Sequence, residues 1–150
     1  MAIGDTRLDE LFKRATLLKD AVAWKSSFDS ATKQQIIKWI QVDQLTNKGV
    51  DGQGVVIGQY SYATEVITRG RKQQGDNYTF DDTGAFYASM EVEITDTLVW
   101  ITGDGKKGKD NLYRKYSDYL TTLTDENITK LKAIIEVKYI EYIKKILLIN

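Results

Sequence analysis

Asp82-Thr83-Gly84-Ala85-Phe86-Tyr87-Ala88-Ser89-Met90-Glu91-Val92-Glu93-Ile94 is the stretch on which the fold turns. Asp82 and Thr83 are residue types that accept a hydrogen bond from a helix N-terminus, so they predict a short capped helix over Gly84 to Ser89. The period then changes. Met90, Val92 and Ile94 alternate with Glu91, Glu93 and Thr95, which is the pattern of a half-buried strand. Asp96-Thr97 predicts a turn, and Leu98 to Thr102 predicts the antiparallel partner. Residues 82–102 therefore read as a capped helix running directly into a β-hairpin.

Downstream, Gly103 to Lys109 reads as a glycine–lysine loop and residues 110–120 as a helix. Thr124 predicts the cap of a last helix over 125–148. Asp125 and Glu126 lie in its first turn, and Lys144 and Lys145 lie near its end, all placed to suit the helix dipole. Ile128, Leu131, Ile135, Tyr139, Tyr142 and Ile146 form its apolar stripe, widened by Ile134, Ile140, Ile143 and Leu147. Upstream, residues 47–81 read as a glycine-rich loop followed by an arm. Gly49, Gly52, Gly54 and Gly58 predict a flexible connection with a short strand inside it. From Gln59 onward the chain is polar and aromatic, with Arg69, Gly70, Arg71, Lys72 and Gly75 at its middle, and predicts an extended arm or long loop, mobile in the free subunit. Two helices come before it. The first, over 6–25, is marked by Leu8, Leu11, Phe12, Ala15, Leu18 and Val22, with Asp5 or Thr6 as its cap. The second, over 31–46, has Thr32 and Gln35 at capping-box spacing and Ile36, Ile37, Trp39 and Ile40 on its apolar side. The expectation is one α+β domain, with about four helices on a small antiparallel sheet.

Composition narrows the chemistry. The chain has 150 residues, within the usual range of one domain. It has no Cys and no His. That excludes disulfides, thiolate zinc sites, thiol catalysis and histidine general bases. Lys plus Arg is 21 and Asp plus Glu is 21, a net charge of zero. This argues against a dedicated nucleic-acid binder and for a chain with weak self-repulsion. Pro is absent, so Gly supplies the breaks. The first fifteen residues lack a basic start followed by an apolar run, and no stretch approaches the ~18 apolar residues of a membrane span. The expectation is a soluble product that stays in the cytoplasm that makes it, with no membrane contact.

Three short matches bear on enzymatic activity. Gly52-Gln53-Gly54 with Gly58 has the wrong spacing for a dinucleotide loop and follows a helix, so it reads as a loop. Gly103 to Lys109 fits the G-x-x-x-x-G-K half of a P-loop, but Asp110 stands where Mg²⁺ needs Ser or Thr, and it reads as a solvated connection. Asp82-Thr83-Gly84-Ala85 matches the signature of aspartic proteases, which pair two carboxylates that share a proton. Here Asp81 precedes it, and Val56-Ile57-Gly58 lies upstream where the protease family needs an apolar-apolar-Gly strand downstream. Proteolysis through Asp82 is the enzymatic alternative, and an unrelated bacterial interaction domain is the other. The main expectation is no enzyme, with no catalytic residue, cofactor or metal.

Asp82, Thr83, Gly84, Ala85, Phe86, Ser89, Met90 and Val92 together resemble the D-T-G-x-L-x-x-S-I-x-V stretch of tailed-phage morphogenesis proteins, the small tail-completion and head–tail joining proteins of the virion neck. Phe86 stands for the usual Leu and Met90 for the usual Ile, both apolar. The family's tyrosine-centred segment after the hairpin is not recognisable. The resemblance covers roughly residues 55–102. It implies a non-enzymatic virion subunit that forms a homo-oligomeric ring and contacts portal or adaptor and tail proteins, with incidental contact with packaged DNA. Its expected structural motif is Asp82, Thr83, Gly84, Phe86 and Ser89. Its expected interface residues are Tyr60, Tyr62, Arg69, Arg71, Lys72, Tyr78, Glu91 and Glu93, because Tyr and Arg are enriched at interfaces. Residues 81–96 carry Asp81, Asp82, Glu91, Glu93 and Asp96 without a cation, whereas 69–72 and 106–109 carry Arg69, Arg71, Lys72, Lys106, Lys107 and Lys109 without an anion. That segregation fits head-to-tail contacts, or else pairing within one subunit. Trp24, Trp39 and Trp100 are read as core, and Tyr87 as flanking the motif.

Overall fold

The computed structural model describes residues 14–15, 19–80 and 82–148. Among them the fold is α+β, with six α-helices, a π-helical segment and two small antiparallel sheets. Helix α1 (Asp20–Ser26) and helix α2 (Ser30–Lys38) are followed without a break by the π-helical segment Trp39–Lys48. Helix α3 (Tyr62–Ile67) lies in the arm and α4 (Ala85–Ala88) in the motif. Strands β1 (Glu91–Ile94) and β2 (Val99–Thr102) form the main hairpin, and β3 (Lys106–Lys107) and β4 (Asp110–Asn111) a second one. Helix α5 (Leu112–Lys115) and the long α6 (Asp125–Leu147) complete the chain.

The core gathers apolar residues from every region: Phe28 before α2, Ile36 and Ile40 from the α2–π rod, Phe86 and Met90 from the motif, Leu112, Leu120 and Leu123 from the segment after β4, and Leu131 and Ile135 from α6. Each such side chain contributes roughly 1.5–3 kcal/mol by leaving water. The main hairpin lays Val92, Ile94, Val99 and Ile101 against this core, as the alternation in the sequence requires. The Trp24 indole N–H donates to the Thr95 carbonyl at 2.9 Å, which ties α1 to the hairpin turn.

The structure corrects several expectations. The second helix starts at Ser30, because Asp29 and not Thr32 is its N-cap; the Asp29 carboxylate accepts the Thr32 N–H at 2.8 Å. It then widens at Trp39, and Gly49 closes it with φ +62° and an N–H donated to the Gln44 carbonyl, five residues back. The wider turn puts Gln44 and Leu45 on the buried face after Ile40. Gln44 and Asn127 are fully buried; the Asn127 amide donates to Gln44 and to the Asp43 carboxylate, and the Gln44 amide also meets the backbone. Gln44 donates to the Thr122 carbonyl and accepts from the Thr124 N–H and the Asn127 side chain, each at 2.9 Å. The polar node fastens the rod to the start of α6, where Thr124 caps as its spacing predicts.

The glycine-rich connection is closed rather than loose. Buried Asp51 accepts the Gln53 and Val55 N–H groups and the Ser117 hydroxyl, and the strand inside it is the single Val50–Val56 bridge. The expected helix over 110–120 shrinks to α5, since Asp110 and Asn111 pair with Lys107 and Lys106 in the β3–β4 hairpin. Of the first helix, residues 14 and 15 are helical and α1 starts anew after extended Lys19; its expected cap and most of its stripe lie outside the described residues, and Val22 is exposed. No helix among the described residues is long and apolar enough to cross a membrane.

Candidate functional site

The candidate site lies where the arm meets the motif. The arm is not extended. Its two stems join at the Gln59–Asn77 bridge, with the Tyr60 N–H donated to the Asp76 carbonyl at 2.9 Å and the Gly75 N–H to the Tyr60 carbonyl at 3.0 Å. Within it Ser61 caps α3 by accepting the Thr64 N–H, and the Glu65 carboxylate accepts the Gln74 N–H at 2.8 Å. Helix α3 ends in a Schellman arrangement. The Gly70 N–H reaches the Glu65 carbonyl and the Arg69 N–H the Val66 carbonyl. Arg69 occupies the left-handed position at φ +53°, where glycine is usual.

Aromatic rings seat the stems. Tyr60 and Tyr78 meet edge-on at 5.0 Å, Tyr78 lies 5.2 Å from Tyr116, and Phe80 lies 5.1 Å from Tyr116 and 6.2 Å from Phe86. These rings line a cavity of about 300 Å³ together with Lys72, Lys106, Lys107, Lys115, Asp82, Asp104 and Asp110. Asp82 bridges two of these lysines. One carboxylate oxygen accepts from Lys72 of the arm at 2.8 Å and the other from Lys107 of β3 at 2.6 Å. The hydrogen bonds from Lys107 and Lys72 hold the Asp82 carboxyl down at about 2, and donating to Asp82 pushes the Lys72 ammonium up. Lys72 also lies over the Tyr60 ring at 5.2 Å.

Asp82 therefore does not cap the short helix. Gly84 is the N-cap, at φ +73°, with no side-chain cap bond, and the Thr83 hydroxyl reaches only the Ala85 N–H at 3.4 Å. Ser89 has a clear role. It donates to the Phe86 carbonyl at 2.7 Å and accepts the Asp104 N–H at 2.8 Å, which joins the end of α4 to the chain leaving β2. Phe86 is buried in the aromatic group, and the Tyr87 hydroxyl donates to the Thr79 carbonyl.

Comparison with known protein families, characterised proteins and solved structures finds no match.

The expected interface residues divide into two groups. Tyr60, Tyr78 and Lys72 turn inward, onto the rings and Asp82. Tyr62, Arg69, Arg71, Glu91 and Glu93 stay exposed. The segregated charges pair in part within the subunit, through Lys72–Asp82, Lys107–Asp82 and Lys25–Asp96. Trp100, read as core, is 53% exposed. It is the cross-strand partner of Glu93, so the hairpin pleat puts both on the outer face. Strict alternation with inward Val99 and Ile101 was the signal for that placement. Val66 and Ile67, next to each other on α3, are 58% and 81% exposed. Nothing in the polar composition of the arm marks them as part of a helix face.

Proposed function

We propose that this chain is a structural subunit of a tailed-bacteriophage virion, at the neck or head–tail junction, and that it works by oligomeric assembly rather than by chemistry. The phage assignment is supported by the resemblance of residues 82–92. The observation that carries the assembly reading is α3: a hydrogen-bonded helix held on the body by the Asp82 clamp, exposing Tyr62 and Val66 at i,i+4 spacing and Ile67 beside Val66 in sequence. A short helix with an open apolar face is a surface built for a partner. The partners are further copies of the chain in a ring, with portal or adaptor and tail proteins above and below.

The protease alternative needs two carboxyls that share a proton. Both oxygens of the Asp82 carboxylate are instead held by ammonium groups, Lys72 and Lys107. That environment suits a clamp better than an acid–base pair.

The test is localisation together with a surface variant. Mass spectrometry of purified virions should find the chain at several copies per particle. The Tyr62→Ser/Val66→Ser/Ile67→Ser variant should keep the wild-type melting midpoint and be missing from particles. Absence of the wild-type chain from virions would overturn the reading.

A further inference from the structure

We infer that the arm of one copy docks on the outer face of the β1–β2 hairpin of a second copy, in a repeating head-to-tail contact. The inference rests on the assembly reading above and names the surface that completes it.

Two faces of the molecule are chemically complementary, and both are unpartnered among the described residues. On the arm, Tyr62, Val66 and Ile67 are exposed, and Arg69 and Arg71 follow at the end of α3. Neither guanidinium meets a carboxylate among the described residues; Arg71 reaches only the Thr68 carbonyl. On the hairpin, the register pairs Glu91 with Thr102 and Glu93 with Trp100. Because cross-strand partners share a face, these four side chains project together, away from Val92, Ile94, Val99 and Ile101. Leu98, at the turn, is also exposed. Glu91 and Glu93 meet no cation among the described residues, whereas the neighbouring carboxylates Asp82 and Asp96 already hold lysines.

Pairing within the subunit thus leaves two guanidiniums beside one apolar face and two carboxylates beside another. Arginine is suited to this match, since its planar fork can meet a carboxylate through two parallel hydrogen bonds. Tyr62, Val66 and Ile67 would cover Trp100 and Leu98, and the charges would set the register. The backbone at Arg69 adds an independent sign. A long side chain is kept in a left-handed conformation that glycine would adopt without strain, as is common where the side chain has a task. The two faces differ, so the contact is heterologous. It closes into a ring if the rotation between copies permits and otherwise grows as a filament.

Charge reversal tests the pairing. Arg69→Glu/Arg71→Glu makes both faces acidic, and Glu91→Arg/Glu93→Arg makes both basic. Sedimentation velocity at low salt should show wild-type chains associating, and each variant alone weakened by about tenfold or more. An equal mixture of the two variants should associate again, because every junction in an alternating array is then complementary. Circular dichroism should show both variants folded. Arg69→Gly should raise the melting temperature and weaken association.

Three results would overturn the inference: a wild-type chain that stays monomeric at high concentration, variants that associate as wild type does, or a folded mixture that does not recover. The virion assay answers a separate question. If the chain is found in particles and the reversals leave self-association unchanged, this contact fails and the virion role stands. If the mixture recovers and the chain is absent from particles, the contact stands and the virion role fails.

Discussion

At the scale of single residues, the motif works differently from a helix cap. Gly84 sits at φ +73°, a conformation in which a Cβ crowds the following carbonyl. Gly84→Val should therefore cost about 2 kcal/mol or more. The Thr83 hydroxyl bond to Ala85 is long and exposed, so Thr83→Ala should cost only about 0.5 kcal/mol, the low end for a lost cap. Urea denaturation of the two variants gives the comparison; equal losses would show that the left-handed backbone is not what Gly84 supplies. The identity of the motif residues was legible in the sequence, but the role of Asp82 was not. A carboxylate before a short helix reads as a cap by default. Only the tertiary approach of Lys72 and Lys107, ten and twenty-five positions away, turns it into a clamp.

At the scale of elements, local rules sufficed wherever a single period ran unbroken. The hairpin followed from strict alternation, and α6 from Thr124, its acidic first turn and its basic last turn. They failed where tertiary contacts set the geometry. The π-helical segment follows α2 with no glycine or proline to signal it, and its effect is to bury an amide. Gln44→Leu keeps the volume but strands the Thr124 N–H, the Thr122 carbonyl and the Asn127 amide, so it should cost about 2–3 kcal/mol. The denaturant midpoint should fall with an unchanged slope. A loss under about 0.5 kcal/mol would mean those groups find other partners. Within the candidate site, Tyr62, Arg69, Arg71, Glu91 and Glu93 were readable as exposed polar or amphipathic types. Tyr60 and Tyr78 were not separable from them, because an aromatic residue in a polar segment gives no sign of the rings it will meet.

For the whole molecule, three carboxylates carry ion pairs, most of them between different elements. Asp29 meets Lys138, Asp82 meets Lys72 and Lys107, and Glu126 meets Lys48 and Lys130. All three carboxyls are held near 2, against ordinary values of 3.8 for Asp and 4.5 for Glu. A depressed folded-state value gives stabilisation that is complete above the unfolded value and is lost as pH falls through the folded one. The melting midpoint should hold from neutral pH to about 5 and decline between about 4.5 and 2. Added salt should shrink the decline, since the pairs are exposed. A midpoint independent of pH over that window would show that the pairs contribute nothing to stability.

The meeting of the arm's two stems at Gln59 and Asn77 carries one more consequence. A segment that leaves and re-enters the fold at one point can change length or content with little effect on the rest, since loop closure depends only weakly on length. Residues 61–71, which stop short of Lys72 and its bond to Asp82, are in that sense a cassette. In the laboratory the same position should accept a fluorescent or affinity insert while the core and the Tyr60–Tyr78–Tyr116 seat stay intact.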